Sequence, residues 1–253
     1  MDFSAFGLAG KTIMVTGANT GIGQGIALSI GRVGGKVIGA GRSAMDETAA
    51  LMAEQGADFV EMRADLASAR DAQAMFETAW ERHGPIDGLV NNAGIIKRAD
   101  AVDFTEDDWD AVMDINLKTM FFLSQSLARK VLEAGRPARI VNIASMLSFQ
   151  GGIRVASYTA SKSGVLGITR LFANEWAERG VNVNAIAPGY IKTNNTEALR
   201  NDPDRSAAIL GRIPAGRWGF PSDIGDAAVF LLAPASNYMH GAVIAVDGGW
   251  LAR

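Results

Sequence analysis

Tyr158 and Lys162 are the residues of this sequence whose types and spacing best suit acid–base chemistry. They lie four positions apart in the segment SYTASK, so both side chains would share one face of a helix. The ammonium group would favour the ionised phenol and lower its pKa, which would let Tyr158 exchange a proton near neutrality. Tyr and Lys also flank many ordinary helices, so the rest of the chain must decide between the two interpretations.

The elements that must position this pair alternate between strands and helices along the chain. Apolar runs predict strands at 11–17, 36–41, 58–65, 86–94, 138–145, 181–189 and 242–246. Longer segments predict helices at 21–34, 45–56, 69–83, 106–133, 156–179 and 222–232. Such alternation is typical of a parallel sheet covered on both faces. We therefore expect the α/β class, with a single Rossmann-type doubly wound parallel sheet of about seven strands in one domain, 1–253.

Residues 190–223 interrupt this alternation. The segment is polar and rich in turn-forming residues, and it predicts a long loop. Long loops inside compact domains are usually functional, so we expect a substrate lid here. Its candidate polar residues are Lys192, Asn194, Asn195, Arg212 and Arg217, with Trp218 adjacent.

Composition excludes several classes of function. The 253 residues carry a net charge of −3 and no cysteine, which excludes disulfides and thiolate metal sites. The sequence contains no basic tract of the kind that would predict nucleic-acid binding. No apolar run approaches the roughly 20 residues of a membrane helix. We expect a cytoplasmic protein with no metal site, no nucleic-acid partner and no membrane contact. His83 and His240 lack metal-ligand spacing and are interpreted as structural.

The first strand–helix turn, TGANTGIGQG, contains Gly17, Gly21 and Gly23. Glycines at this point let the backbone turn tightly and approach a pyrophosphate, which the helix N-terminus attracts. A plain turn is the alternative, because the spacing differs from the commoner G-x-G-x-x-G. In an alternating α/β chain we favour dinucleotide binding.

The motifs TGANTGIG, NNAG (91–94), Ser145, YTASK and PGY (188–190) resemble the short-chain dehydrogenases/reductases in order and spacing. The resemblance implies that Tyr158 is the acid/base, that Lys162 lowers its pKa and holds the nicotinamide ribose, and that Ser145 hydrogen-bonds the substrate oxygen. Asn116 matches the asparagine that anchors a proton-relay water. These four are the predicted catalytic residues.

The same resemblance implies a set of cofactor-binding residues spread over six segments. They are Gly17, Asn19, Thr20, Gly21, Ile22, Gly23, Arg42, Asp65, Leu66, Asn92, Ala93, Gly94, Tyr158, Lys162, Pro188, Gly189, Ile191 and Thr193.

The end of the second strand indicates which cofactor is bound. Gly41 stands where NAD binders of this fold usually carry an acidic residue for the ribose, and Arg42 follows. An arginine there suits a 2′-phosphate. We favour NADP(H), with NAD(H) possible and a solvated surface arginine as the alternative. Asp65 resembles the family's adenine-binding aspartate, or is a helix N-cap.

The substrate half of the chain, from NIASMLSFQGG to VDGGWLAR, resembles the bacterial 2-keto-3-deoxygluconate 5-dehydrogenases, also called 2-deoxy-D-gluconate 3-dehydrogenases. The resemblance implies a keto-deoxy sugar acid of uronate breakdown as the small-molecule partner. The alternatives are the alginate-derived unsaturated uronate 4-deoxy-5-hexoseulose uronate, an apolar acyl or steroid ketone, or a dinucleotide-binding sensor without turnover. The complete catalytic set argues against the sensor.

Polar residues near the predicted centre suit an anionic, hydroxyl-rich substrate. Predicted substrate residues are Ser145, Gln150, Arg154 and Tyr158, since arginine presents a fork suited to a carboxylate. Lys97 and Arg98 are weaker candidates, and exposed charges are the alternative for all of these cations.

The long helices carry apolar residues on more than one side, among them Val165, Leu166, Ile168, Leu171 and Phe172. The surplus predicts a second buried face. The family pairs these helices across a two-fold axis, so the resemblance implies a homotetramer.

Overall fold

A parallel sheet forms the centre of the protein. The computed structural model describes residues 4–253, and within them seven parallel strands pair in the order β3-β2-β1-β4-β5-β6-β7. The strands are β1 (Thr12–Thr16), β2 (Lys36–Gly41), β3 (Phe59–Arg63), β4 (Gly88–Asn91), β5 (Ala138–Ile143), β6 (Val181–Pro188) and β7 (Val243–Val246). The prediction of a Rossmann-type sheet is confirmed. The chain order reverses between β1 and β4, and a crevice forms there at the carboxyl ends of the strands.

Helices cover both faces of the sheet. They are α1 (Gly21–Arg32), α2 (Asp46–Glu54), α3 (Ala69–His83), α4 (Glu106–Met113), α5 (Met120–Glu133), α6 (Ala156–Trp176), α7 (Glu197–Asn201), α8 (Pro203–Arg212) and α9 (Pro221–Leu232). One apolar core packs α1, α2 and α9 on the sheet, and another packs α3, α5 and α6 on the opposite face. None of the helices within residues 4–253 has the length and apolar character that crossing a bilayer requires.

The helix predicted over 106–133 is divided. A π-helical stretch at Asp114–Thr119 separates α4 from α5. The extra residue per turn shifts the side chains that follow it, and such stretches are frequent at functional sites. Asn116 lies inside this one.

The loop predicted at 190–223 is partly wrong, because the segment contains α7 and α8. Asp202 caps α8 by accepting a hydrogen bond from the Arg205 N–H at 3.0 Å, and Pro203 is the first helical residue. Ile209 of α8 is buried among aromatic side chains. Polar composition suggested a loop, but a cap and a narrow apolar stripe are sufficient for this short helix.

The apolar surplus of α6 is smaller than the sequence predicts. Val165, Leu166 and Phe172 are buried within the chain, because α6 packs on the sheet and also on the segment around Met120. Leu171 stays 42% exposed. The argument from α6 for a second subunit therefore rests on fewer residues than expected.

Candidate active site

The turn between β1 and α1 leaves room for a ligand at the start of a helix. Gly17 has φ +67°, and a Cβ on Gly23 would overlap the Gly17 carbonyl oxygen. Thr20 precedes α1 but makes no side-chain cap hydrogen bond. The first N–H groups of α1 are therefore free to bind an anion, and the turn fits the pyrophosphate of a dinucleotide.

A network of hydrogen bonds ties this turn to the end of β4. The Thr16 hydroxyl accepts from the N–H groups of Asn92 (2.9 Å) and Ala93 (3.0 Å). The Asn92 amide donates to the Thr16 carbonyl at 2.9 Å. From the other side, the buried Thr48 hydroxyl donates to the Ala18 carbonyl at 2.8 Å. The two walls of the crevice are thus held in fixed relation.

Gly23→Ala is expected to weaken cofactor binding and lower the melting temperature. The added methyl would overlap the Gly17 backbone, which cannot move aside as the end of a flexible side chain can. Such overpacking typically lowers the free energy of unfolding by about 1–3 kcal/mol. Calorimetry and NADPH titration measure both effects. Gly167→Ala is the matched control, because a Cβ there meets nothing within 4 Å. A Gly23→Ala protein that binds NADPH and melts like wild type would contradict this account.

Lys162 and Asn116 meet beside Gly94. A Cβ on Gly94 would lie 3.1 Å from Asn116 Oδ1 and 3.7 Å from Lys162 Nζ. Asn116 Oδ1 accepts from the Ile95 N–H at 2.8 Å, and its amide donates to the Ile95 carbonyl at 3.0 Å. Both polar atoms of the Asn116 side chain are therefore engaged in fixing the segment after β4.

Ser145 and Tyr158 form the centre of the site. Ser145 Oγ accepts from the Leu147 N–H at 3.1 Å, which leaves its own hydrogen free to donate. Burial raises the pKa of the Tyr158 phenol, while a hydrogen bond from Ser145 and the charge of Arg98 act to lower it. The predicted lowering by Lys162 is therefore not what this structure shows; in it, desolvation of the phenolate outweighs the neighbouring charges.

Lys162 is buried, with only 4% of its surface exposed. Its Nζ donates to the Ile143 carbonyl at 2.6 Å and lies 5.7 Å from the centre of the Tyr158 ring. Burial lowers the pKa of Lys162 to about 8. The group is charged at neutral pH and loses its proton in the mildly alkaline range.

The residues predicted to select the cofactor lie at the end of β2. A Cβ on Gly41 would be 3.9 Å from the Gly17 nitrogen, so this strand end borders the glycine turn. Arg42 is exposed. Asp65 is exposed and accepts from the Ala67 N–H at 3.0 Å, while Leu66 beside it is buried. Asp65 is not the N-cap of α3; Ser68 is.

The predicted residues at the end of β6 and just after it lead to the glycine turn. Pro188 pairs with Val246 at the end of β6, and Gly189 donates to the Val246 carbonyl at 3.0 Å. Ile191 is buried. A Cβ on Gly21 would lie 3.2 Å from Thr193 Cγ2, so the start of the lid touches the glycine turn.

The predicted substrate cations differ in their availability. Arg154 has φ +62° and pairs with Asp100 at 3.1 Å, and Lys97 pairs with Asp108 at 3.0 Å. Arg98 lies between these pairs in sequence and is exposed. Gln150 lies farther along the loop, where Trp250 and Arg212 donate to its oxygen.

Sequence reasoning missed three hydroxyl groups that build the site. Thr16 and Thr48 brace the glycine turn, and Ser161 accepts from the Asn116 amide at 3.2 Å. Ser161 lies inside the YTASK motif, so the sequence could have predicted that it lies close to Tyr158. Thr48 gave no indication, because its contact depends on how α2 packs.

Comparison with known proteins decides the family. A family model described as enoyl-(acyl carrier protein) reductase matches residues 17–251. A 2-dehydro-3-deoxy-D-gluconate 5-dehydrogenase of Escherichia coli (strain K12) is 54% identical over 253 residues, which is 100% of both chains. The chain belongs to the short-chain dehydrogenase/reductase family. It is an NAD(P)-dependent oxidoreductase.

Two further relatives support this assignment. A 2-dehydro-3-deoxy-D-gluconate 5-dehydrogenase of Bacillus subtilis (strain 168) is 50% identical over 252 residues, 98% of each chain. A crystal structure of a candidate 2-deoxy-D-gluconate 3-dehydrogenase from Agrobacterium tumefaciens, with bound NADP, is similar with a TM-score of 0.94. It is 56% identical and covers 98% of this chain and 99% of its own.

Proposed function

We propose that the protein interconverts a keto-deoxy sugar acid of the 2-dehydro-3-deoxy-D-gluconate type, which carries a hydroxyl at C5, and the corresponding 5-ketone. The proposal rests on the reacting centre, where the Tyr158 phenol receives a hydrogen bond from Ser145 and the charge of exposed Arg98 adds a smaller influence that lowers the Tyr158 pKa. A carbonyl oxygen at the phenol and a carboxylate on Arg98 would suit one small anionic substrate. The names of the relatives at 50–54% identity support the same substrate class.

The proposed chemistry divides among three side chains. During reduction the carbonyl oxygen gains negative charge, which the hydroxyls of Ser145 and Tyr158 stabilise as donors. Tyr158 then gives its proton to that oxygen. The Lys162 ammonium lies 5.7 Å from the centre of the Tyr158 ring and would hold the ribose of the cofactor. When bound, the nicotinamide cofactor supplies the hydride.

Initial rates with a panel of carbonyl compounds test the substrate class. The panel contains 2-dehydro-3-deoxygluconate, assayed as the C5 alcohol with NAD⁺ and NADP⁺. Its 5-oxo derivative is assayed with NADH and NADPH, as are 4-deoxy-5-hexoseulose uronate, decanal and a steroid ketone. We expect the highest reductive kcat/KM with the 5-oxo derivative, and oxidation of 2-dehydro-3-deoxygluconate in the reverse direction. Preference for 4-deoxy-5-hexoseulose uronate would identify that compound as the substrate instead. Preference for decanal or the steroid ketone would contradict the proposal.

We propose NADP(H) as the preferred cofactor. Arg42 is exposed at the end of β2, and Gly41 offers no carboxylate to the ribose hydroxyls. The bound NADP of the Agrobacterium tumefaciens structure supports this choice. NAD(H) is the alternative.

Arg42→Ala is expected to weaken NADPH binding about tenfold and NADH binding much less, because only NADPH carries the 2′-phosphate. Titrations at low ionic strength measure both dissociation constants. Arg70→Ala, which removes an exposed arginine from α3, is the control. A wild type that prefers NADH, with a preference that Arg42→Ala leaves unchanged, would show that Arg42 is only a surface side chain.

The homotetramer and the cytoplasmic location stay predictions. Leu171 of α6 and Trp109 of α4 keep 42% and 40% of their surfaces exposed, which supports a further interface on this side. Sedimentation at the monomer mass of 26.7 kDa would contradict the tetramer.

A further inference from the structure

The segment Asp247–Trp250, called here the DGGW turn, follows β7 and folds back beneath the lid. The Asp247 carboxylate accepts from the N–H groups of Gly249 and Leu251, both at 2.9 Å. Gly248 and Gly249 have φ +65° and +88°, which only glycine adopts at little cost. The turn therefore has a defined shape that ends with the Trp250 side chain.

This turn packs closely on the residues that follow α8. A Cβ on Gly248 would lie 2.8 Å from Ile213 Cγ2, and the Ala215 N–H donates to the Gly248 carbonyl at 2.9 Å. Arg253 also donates to the Gly211 carbonyl at 2.7 Å, at the carboxyl end of α8. Helix α8, called here the lid helix, is thus fixed to the DGGW turn by backbone and side-chain contacts.

Trp250 connects the turn to the loop after Ser145. Its indole is 5% exposed, and Nε1 donates to Gln150 Oε1 at 3.4 Å. Arg212 donates to the same oxygen at 3.5 Å, and its guanidinium lies 4.0 Å from the Trp250 ring. Three segments meet here: the loop that carries Gln150, the lid helix and the DGGW turn.

Apolar packing extends the junction to the reacting centre. Trp250 belongs to a buried cluster with Met146, which is the neighbour of Ser145, and with Ile209 of α8. The Tyr190 ring lies 4.8 Å from the Trp250 ring, at the end of β6. A shift of Trp250 would therefore be transmitted both to the lid and to the residue beside Ser145.

We infer that Gln150, Arg212 and Trp250 form a joint that holds the lid in register with Ser145, and that they are positioning residues without substrate contact. The Gln150 oxygen already accepts two hydrogen bonds, and the Arg212 guanidinium lies over the indole. Both side chains thus have partners within the protein, which favours a positioning role. The joint replaces the direct substrate role that the sequence suggested for Gln150, and its kinetic readout rests on the proposed function.

Two conservative variants and their combination test the joint. Trp250→Phe keeps an aromatic ring and removes the N–H donor, and Gln150→Leu removes the acceptor. Each is expected to speed tryptic cleavage at the exposed Arg205 of the lid about threefold, and to raise KM for the sugar acid about threefold to tenfold, at unchanged NADPH affinity. The double variant is expected to be no worse than Gln150→Leu, because both changes break one junction.

Trp80→Phe in α3 is the matched control, since it makes the same substitution far from the lid. It is expected to leave cleavage at Arg205 and KM unchanged. If the effects of Trp250→Phe and Gln150→Leu on KM multiplied in the double variant, the two residues would act independently and the joint would be overturned. Unchanged cleavage at Arg205 would also overturn it. Cleavage is measured without substrate, so a failure of the proposed substrate class would leave that readout intact.

Discussion

Tyr158→Phe is expected to lower kcat for carbonyl reduction by about 10²–10⁴-fold, with the NADPH dissociation constant nearly unchanged. The substitution removes the proton donor and keeps the ring that packs beside Lys162. Ser145 would still donate to the carbonyl oxygen, so some electrostatic stabilisation of the developing charge would persist. Residual activity is therefore expected rather than complete loss.

The pKa of Tyr158 determines how the two directions respond to pH. Burial raises the pKa in this structure, so the phenol keeps its proton at neutral pH and is ready to act as an acid. Oxidation of the alcohol needs the phenolate instead, so its rate is expected to rise with pH. Because Tyr158 stays protonated around neutrality, its titration is expected to change the rate of reduction little in that range.

Rapid-mixing measurements of reduction under single-turnover conditions separate the chemical step from product release. Tyr238→Phe is the matched control, because Tyr238 is fully exposed and far from Lys162 in the chain. It should behave like wild type in both directions. Tyr158 would be excluded as the acid/base if Tyr158→Phe kept most of the wild-type kcat. It would also be excluded if the oxidation rate of the variant still rose with pH as in the wild type.

The sheet and the crevice could be predicted because their causes are local. Strands such as β1 are largely buried and read as short apolar runs, and the glycines of the first turn are needed by the backbone itself. The NNAG segment was placed correctly for the same reason: Asn92 bonds to the backbone of the turn opposite. Motif spacing carries this information without knowledge of packing.

Features that depend on tertiary packing were not predictable. The π-helical stretch around Asn116 is stabilised by contacts to Ile95 and Ser161, which are distant in sequence. The engagement of Gln150 by Trp250 joins residues 100 positions apart. The pKa of Tyr158 was predicted from its charged neighbour, whereas burial decides its direction here. Desolvation is a property of the whole surrounding structure, which a four-residue motif does not contain.

Lys162→Met is expected to weaken NADPH binding about tenfold and to lower kcat about 10–100-fold. Methionine fills a similar volume but lacks the ammonium, which would bind the ribose and whose Nζ lies 5.7 Å from the centre of the Tyr158 ring. The buried ammonium has a pKa of about 8, so the wild-type affinity for NADPH should fall as pH rises through that value. The variant should bind weakly at every pH, because it has no proton to lose.

Stability measurements separate this functional loss from unfolding. The folded-state pKa of Lys162 is about 8, below its ordinary value of 10.5, so the unfolded chain binds more protons between these values. The free energy of unfolding attributable to this group therefore rises from pH 8 to pH 10.5 and is lower below pH 8. Lys162→Met removes that dependence. Near neutrality, relief from burying a charge offsets loss of the hydrogen bond to Ile143, so we expect a small change in stability.

Urea titrations at pH 7, 8, 9 and 10 and NADPH titrations over the same range test both parts. Lys36→Met is the matched control, since Lys36 begins β2 outside the crevice. It should keep wild-type cofactor affinity at each pH. If Lys162→Met lowered kcat but bound NADPH like wild type, the ribose role would be wrong. If the wild-type affinity for NADPH did not change as pH rises through 8, Lys162 would not lose its proton in that range, and the pH dependence predicted here would be wrong.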